Sequence, residues 1–304
     1  MRRAAALALL AVALGGCGVG PGAKTPGGVE LRVTRDFGHR QLADAKRDGI
    51  RDGDTVMRFL QAERKVTTRF GGGYVQSIDG LNGSKSGEHD WFYYVNGSEA
   101  DKSAADYGLS RGDVVTWDYH RWSATQHIPA IVGAYPAPFT SNFAGKRRPG
   151  RVECADQTGA ICRAAKKKLS TVGVNAGASL GPTASSKVIR VVVGTWPEVR
   201  QVKAAEAIEH GPQASGVFAR FDSSGRRLEL LDGDGRAARL APPGTGLVAA
   251  TAQGGRELVW IVTGNDEAGV RRAIEALNEK ALRGAFAIAT GPAGVQTLPL
   301  AAAL

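Results

Sequence analysis

The fold is indicated first by residues 90–97, which read DWFYYVNG. Successive side chains on a strand point to opposite faces, and this bulky run predicts a strand that ends at Val95. Asn96-Gly97 then favours a type I′ turn, because both residue types tolerate a positive φ. A further strand is predicted from Val114 to His120. The stretch therefore predicts the centre of a β-sheet.

The residues on either side extend this sheet into a small α+β domain at 29–122. Val29 to Thr34 alternates apolar and polar positions, which predicts a half-buried strand. Asp54 is expected to cap a short helix that runs to about Ala62. Tyr74 to Ile78 predicts another strand, followed by a turn.

Aromatic residues are concentrated in this domain, where residues 91–122 hold eight of the twenty Trp, Tyr and Phe side chains. A sheet covered by one helix has one face buried under that helix, so the aromatic side chains on that face are expected in the core. The other set is expected to face outward, where a ring can stack on a flat ligand or a sugar. The alternative is that these rings pack under a second domain. The predicted ligand-binding residues here are Trp91, Tyr93, Tyr94, Trp117 and Tyr119.

Three motifs resemble the transcobalamin-like C-terminal domain, a β-grasp-like family of the DUF4430 type. They are GYVQSI at 73–78, WFYYVNG at 91–97, and ADYGL at 105–109 with GDVV at 112–115. The resemblance implies a module that binds a ligand or a protein. In animal cobalamin carriers such a domain closes over one face of the corrin, beside a large helical domain that this sequence does not show. A corrinoid is therefore one implied ligand.

The N-terminus predicts export and a lipid anchor. Arg2 and Arg3 precede an apolar run, Ala4 to Leu14, which is too short to span a bilayer but suits a secretory signal. Leu14-Gly15-Gly16-Cys17 resembles the lipobox of bacterial lipoproteins, which implies a signal peptide at 1–16 and a lipid on Cys17. The alternative is an ordinary secretory signal with a chance cysteine. Residues 17–28 are rich in Gly and Pro and predict a flexible tether.

Cys154 and Cys162 remain once Cys17 is assigned to lipid. In an oxidising compartment two remaining cysteines most simply form a disulfide. The alternative is a pair of free, buried thiols. The two cysteines have no further Cys or His nearby in sequence, and a lone His such as His120 or His127 is more often solvated or bonded to a carboxylate such as Asp118, so no metal site is predicted.

The second half predicts an α/β sandwich domain at 151–304, after a linker at 123–150 that alternatively supplies its first strand. Strands are expected near Val152, Val188–Val193, Leu247–Thr251 and Leu258–Thr263. Helices are expected at Ala160–Leu169, Lys203–His210 and Asp266–Asn278, and a hairpin is expected at 217–231.

The catalytic motifs in this half are weak, and the chain is expected not to be an enzyme. Gly177–Gly181 has the spelling of a nucleophile elbow without the strand and helix that an elbow needs. Asn265 or Asp266 is expected to cap the following helix. If the turns at Tyr135 and Trp196 follow neighbouring strands, these two rings are predicted to line one cleft together with the start of that helix.

These features together predict an extracytoplasmic, membrane-anchored binding protein without a cofactor. The formal charge of +10 is suited to binding an anionic surface. Nucleic-acid binding is not expected, because the basic residues are scattered along the sequence and the protein is predicted to lie outside the cell. The expected ligand is a small planar molecule such as a corrinoid. The alternative is a structural or adaptor lipoprotein that binds a membrane transporter or another envelope partner.

Overall fold

The computed structural model describes residues 25–143, 146–181, 187–254 and 257–301. The predicted α+β class is confirmed. The predicted signal peptide, Cys17 and residues 18–24 of the predicted tether lie outside the described residues, whereas residues 25–28 belong to the first strand and not to a tether. Within the described residues no helix is both long and apolar enough to cross a membrane.

The first structural unit, residues 25–121, is a five-stranded sheet packed on one helix. Its elements are β1 (Thr25–Arg35), β2 (Arg40–Ile50), α1 (Val56–Glu63), β3 (Val66–Arg69), β4 (Tyr74–Ile78), β5 (Leu81–Asn82), β6 (His89–Val95), β7 (Ser98–Glu99) and β8 (Val114–Arg121). The sheet order is β2-β1-β8-β6-β7, and β3, β4 and β5 form a separate small sheet. The first and last long strands, β1 and β8, are parallel neighbours between antiparallel partners, which is the β-grasp arrangement.

Strands β2, β3, β5 and β7 and the position of the helix cap differ from the sequence prediction. Strand β2 was not predicted, because it is an edge strand whose weak apolar face consists of Ala43 and Ala45, both only partly buried. The helix cap is also one residue later than expected. The Thr55 hydroxyl accepts the Arg58 N–H at 3.2 Å, whereas the Asp54 carboxylate accepts the Arg51 N–H in the preceding turn.

The second unit, residues 137–298, is built around a seven-stranded mixed sheet. Its elements are α2 (Ala137–Thr140), β9 (Asn142–Phe143), β10 (Lys146–Arg147), β11 (Gly150–Cys154), α3 (Ala160–Ser170), β12 (Ala176–Ser179), β13 (Ile189–Val193), α4 (Trp196–Val199), α5 (Lys203–Glu206), α6 (Pro212–Ser215), β14 (Ala219–Phe221), β15 (Leu228–Leu231), β16 (Ala237–Leu240), β17 (Gly246–Gln253), β18 (Glu257–Gly264), α7 (Glu267–Glu275), α8 (Glu279–Leu282), β19 (Ala287–Gly291) and β20 (Gly294–Leu298).

The order of this sheet is β12-β11-β13-β18-β17-β19-β20, and its first four strands are parallel. One face packs against α3 and α7. The other face packs against α4, α5 and the small sheet β14-β15-β16. The sheet is therefore buried on both sides, which explains the continuous Val/Ile runs in β13 and β18.

The structure joins Cys154, at the end of β11, to Cys162 in α3 by a disulfide with a Cα–Cα distance of 6.0 Å. The nucleophile-elbow spelling at 177–181 and the DGDG run at 232–235, which lacks the further oxygen ligands and the closing Glu of a calcium loop, are both parts of the local backbone structure. Gly177 to Ser179 lie within strand β12. The Asp232 carboxylate accepts the N–H groups of Asp234 and Arg236, which closes a turn.

Residues 128–135 connect the two units and form no strand of the seven-stranded sheet. Ile131 donates its N–H to the Gly97 carbonyl at 2.8 Å, and Val132 donates to the Phe286 carbonyl at 3.1 Å. The connecting segment is therefore hydrogen-bonded to both units. The apolar junction around it contains Phe37, Tyr94, Ala124, Ile128, Ile131, Phe218, Leu231 and Phe286.

Candidate ligand-binding cleft

A cleft of about 410 Å³ opens on the first unit. We call it the aromatic cleft; the residues that define it are Arg69, Phe70, Tyr74, Asp90, Phe92 and Trp122. Asp90 and Phe92 lie on the face of β6 opposite Trp91, whose ring is in the core. The cleft therefore uses the part of the outer sheet face that the second unit leaves open.

One wall is formed by a glycine-rich turn between β3 and β4. Phe70, Gly71 and Gly72 all have positive φ, at 51°, 69° and 95°. This backbone holds the Phe70 side chain out, with 86% of it exposed. Its ring meets the Tyr74 ring edge to face, with centroids 6.2 Å apart. The result is an aromatic wall that faces solvent.

A partly buried carboxylate lies between the walls. Asp90 accepts the Tyr74 hydroxyl on one oxygen and the Trp91 N–H, at 2.8 Å, on the other. Burial raises the pKa of Asp90, although the Trp91 N–H bond and the nearby Arg69 charge oppose that shift. A Cβ on Gly83 would lie 2.7 Å from this carboxylate, so glycine at that position leaves room for it.

The floor is supported from behind by a buried polar pair. The Phe92 ring, which lines the cleft, stacks on the His120 ring with centroids 4.3 Å apart. His120 Nδ1 lies 2.8 Å from the Asp118 carboxylate, and both side chains are buried. Phe92 is therefore held in place without closing the cleft.

The rim carries polar and basic groups. Arg69 and Lys85 are exposed cations. His127 lies 3.4 Å from the Glu99 carboxylate, whose pKa is raised by burial. Flat aromatic walls with one central carboxylate can stack a planar ring and accept a hydrogen bond from it.

The structure corrects the expectation of an exposed aromatic row. Trp91 and Trp117 are 5% and 2% exposed and, with Tyr119, belong to the core under α1. The Tyr93 hydroxyl donates to the Lys102 carbonyl. Tyr94 is fully buried against Phe286 of the second unit. These rings are covered on both faces of the sheet, by α1 on one face and by the second unit over Tyr94 on the other, as in the alternative of rings packed under a second domain.

Tyr135 and Trp196 do not share a cleft. Tyr135 packs with Trp260 on one face of the seven-stranded sheet, and Trp196 stacks on Phe221 on the other. The turn before α7 is occupied by its own cap, since the Asp266 carboxylate accepts the Gly269 N–H at 2.8 Å. The cleft hypothesis for these residues was therefore wrong.

The sequence prediction missed Phe70, Tyr74, Phe92 and Trp122 as the rings of one site. A signal for two of them was present, because Phe70-Gly71-Gly72-Gly73-Tyr74 places two aromatics around three glycines. Such a run indicates a turn with positive φ that presents its flanking rings. Phe92 and Trp122 could not be assigned, because their exposure depends on where the second unit ends.

Within the described residues no three His, Cys, Asp or Glu side chains are grouped so that they could hold a metal ion. A protein from Ruminococcus gnavus ATCC 29149, described as a candidate metal-binding protein, is among the solved structures that match. It is 15% identical, with 31% of this chain and 95% of that chain covered, and the TM-score is 0.25. We draw no conclusion about fold or function from so low a score.

No curated protein sequence matches this chain. A family model described as a domain of unknown function (DUF4430) matches residues 53–121. This range contains Phe70, Tyr74, Asp90 and Phe92 of the aromatic cleft, and Trp122 follows it directly. The part of the chain that is similar to DUF4430 is thus the part that supplies most of the cleft.

Proposed function

We propose that this chain is a lipid-anchored extracytoplasmic protein that binds a small planar ligand in the aromatic cleft. The observation that carries the proposal is the Asp90 carboxylate, held half-buried between Phe92 and Tyr74 in a cleft of about 410 Å³. Cavities of this size are typical of small-molecule sites. Most of the cleft lies within residues 53–121, the range that matches one family model.

The walls favour a ligand with a flat apolar face and a hydrogen-bond donor at its edge. The donor would bond to Asp90, and the face would stack on Phe92 or Trp122. A corrinoid fits this description chemically, but its macrocycle is larger than the cleft. Only one edge of a corrin would enter, and the rest would lie over Phe70.

The anchor part of the proposal rests on the N-terminal sequence. Cys17 follows a short apolar run, and residues 18–24 separate it from the first strand. Labelling of growing cells with a palmitate analogue should mark the wild-type chain and leave Cys17→Ser unmarked. Equal labelling of both chains would contradict the anchor.

The binding test is a calorimetric titration of the full-length Cys17→Ser chain with cobalamin, cobinamide, and a panel of planar aromatic amines. We expect saturable binding of at least one compound. Asp90→Asn and Trp122→Ala should each weaken it about tenfold, the effect of one lost charged hydrogen bond or stacking contact. Leu240→Ala, at an exposed apolar residue outside the cleft, is the control. A compound that binds all four proteins equally would contradict the cleft.

One observation favours the adaptor alternative. Phe70 is 86% exposed, more than a ligand-lining ring needs to be, and an exposed aromatic can anchor a protein contact. A photo-crosslinking residue at position 70 would separate the two functions in cells. Crosslinking to one membrane protein, with no ligand found by titration, would support the adaptor.

A further inference from the structure

A second cavity, of about 520 Å³, lies where the two units meet. We call it the junction cavity; it is defined by Phe37, His39, Arg40, Arg121, Pro299 and Leu300. Its walls are the turn between β1 and β2 on one side and the residues after β20 on the other. Small-molecule sites occur preferentially at such domain interfaces.

The wall from the first unit is rigidly built. Asp36, Phe37 and Gly38 have successive positive φ values of 59°, 59° and 81°. The buried Asp118 carboxylate accepts the N–H groups of Phe37 and Gly38, at 3.0 and 2.9 Å, and so holds this turn. A Cβ on Gly38 would lie 1.9 Å from the Gly284 carbonyl oxygen. The turn is thus fixed against the second unit, and the cavity is preformed.

The carboxylates around the cavity already have partners. Asp36 pairs with Arg35 at 2.9 Å, and Asp234 pairs with Arg121 at 3.2 Å. Asp232 accepts two backbone N–H groups. These acids are therefore engaged within the protein and are poor partners for a cationic ligand.

Arg40 differs from them. Arg40 lines the cavity, and its guanidinium has no ion pair or hydrogen bond to any residue in the described part of the chain. His39 Nε2 donates to the Pro299 carbonyl at 2.8 Å, which leaves Arg40 as the cation with free donors on this turn. A guanidinium presents several N–H donors that match a carboxylate or a phosphate. Phe37 on the same turn and Pro299 and Leu300 on the other wall supply the apolar lining of the cavity.

We propose that the junction cavity is a second binding site, for a small anionic amphiphile. Its carboxylate or phosphate monoester head would bind Arg40, and its apolar body would lie against Phe37, Pro299 and Leu300. The site is independent of the aromatic cleft and does not rest on the function proposed for it.

The test is a calorimetric titration of the full-length Cys17→Ser chain with octanoate and octyl phosphate, against octylamine and 1-octanol. We expect saturable binding of one or both anions, at least tenfold tighter than octylamine or 1-octanol. Whichever anion binds more tightly identifies the head group. Octylamine binding as tightly as the anions, or no saturable heat from either anion, would overturn the proposal.

Two variants locate the site. Arg40→Gln should weaken anion binding about tenfold, whereas Arg226→Gln, at an exposed arginine outside the cavity, should not. Ala301→Trp places bulk at an exposed position on the cavity wall and should abolish binding while the thermal unfolding temperature stays unchanged. If the anion affinity were unchanged in both Arg40→Gln and Ala301→Trp, the anion would bind elsewhere on the protein and the assignment would be refuted.

Discussion

Asp113 is a buried carboxyl group whose protonation the fold alters. Its side chain is 1% exposed, and burial raises its pKa to about 6, although bonds from the Ser110 N–H and the Asn96 amide oppose the shift. Asn96 also accepts the Val114 N–H at 2.9 Å. A single buried Asp–Asn pair therefore ties the β6–β7 turn to the start of β8.

We predict that Asp113 titrates near pH 6 in the folded protein. Between about pH 4 and pH 6 the native state keeps a proton that the unfolded chain has lost, so the free energy of unfolding falls as the pH rises. The change from this group is about 3 kcal/mol, complete above pH 6. Carboxyl ¹³C NMR measures the titration directly.

Asp222 is the internal control in the same spectra. The Ser224 hydroxyl bond lowers its pKa, so it should titrate below the ordinary range. If Asp113 titrated together with Asp222, burial would not be controlling its pKa.

Arg190 and Glu153 form a buried ion pair between β13 and β11. Each side chain is 1% exposed, and Arg190 Nη2 lies 2.6 Å from the carboxylate. Arg190→Met should lower the free energy of unfolding by about 3–5 kcal/mol, because it leaves a buried carboxylate with only the half-exposed Arg151 as a partner. Chemical denaturation measures this loss.

The double variant Arg190→Met with Glu153→Leu is the matched comparison. It removes both charges, so most of the lost stability should return. If the double variant were less stable than Arg190→Met alone, the penalty would not come from an uncompensated charge.

At the scale of elements, the turn at Asn96-Gly97 joins the β-grasp sheet to the rest of the molecule. The two residues have φ values of 51° and 76°, as the predicted type I′ turn requires. The turn has a second role that its sequence does not show. The Gly97 carbonyl accepts the Ile131 N–H, so the hairpin is also a contact for the connecting segment.

Gly97→Ala is predicted to destabilise the protein by more than its backbone strain alone. A Cβ there would lie 2.5 Å from the Ile131 carbonyl oxygen, so the connecting segment must move. Gly80→Ala is the matched control, because Gly80 has a φ of 85° and open space around its Cβ position. The expected cost of the control is about 1 kcal/mol, and Gly97→Ala should cost at least twice that by denaturant titration. Equal losses would show that the contact with residue 131 contributes little.

At the scale of the whole molecule, the two units share one apolar junction. Phe37 from the first unit contacts Phe218 and Phe286 from the second, and Arg32 donates to the Gly133 carbonyl at 2.6 Å. Arg283 pairs with Asp44 at 2.8 Å. These contacts favour cooperative unfolding of the two units.

We predict a single thermal transition for the wild-type chain and a lower or divided transition for Gly133→Ala. A Cβ at position 133 would lie 2.8 Å from the Ala285 carbonyl oxygen, so the connecting segment must move away from the second unit. Gly108→Ala, at a glycine with open space and ordinary φ, is the control and should change the melting temperature little. Two transitions in the wild-type chain by calorimetry would contradict a cooperative junction.

The local sequence determined much of the secondary structure. The strands around Trp91, Val115 and Val191 follow from runs of aromatic and β-branched residues. The helix after Asp266 follows from its cap, and the turn at Asn96-Gly97 follows from tolerance of positive φ. All of these are properties of neighbours along the chain. Strand β2 was not predicted, because an edge strand with small, partly buried side chains has little hydrophobic pattern.

Only the tertiary structure decided which aromatic rings are exposed. Trp91 and Phe92 are adjacent and similar in hydrophobicity, yet one is in the core and the other lines a cleft, because the second unit covers the outer sheet face at Tyr94 and stops short of Asp90. Exposure depends on contacts between residues far apart in sequence, such as Tyr94 with Phe286. No local pattern contains that information, so the sequence predicted the strands but not the site.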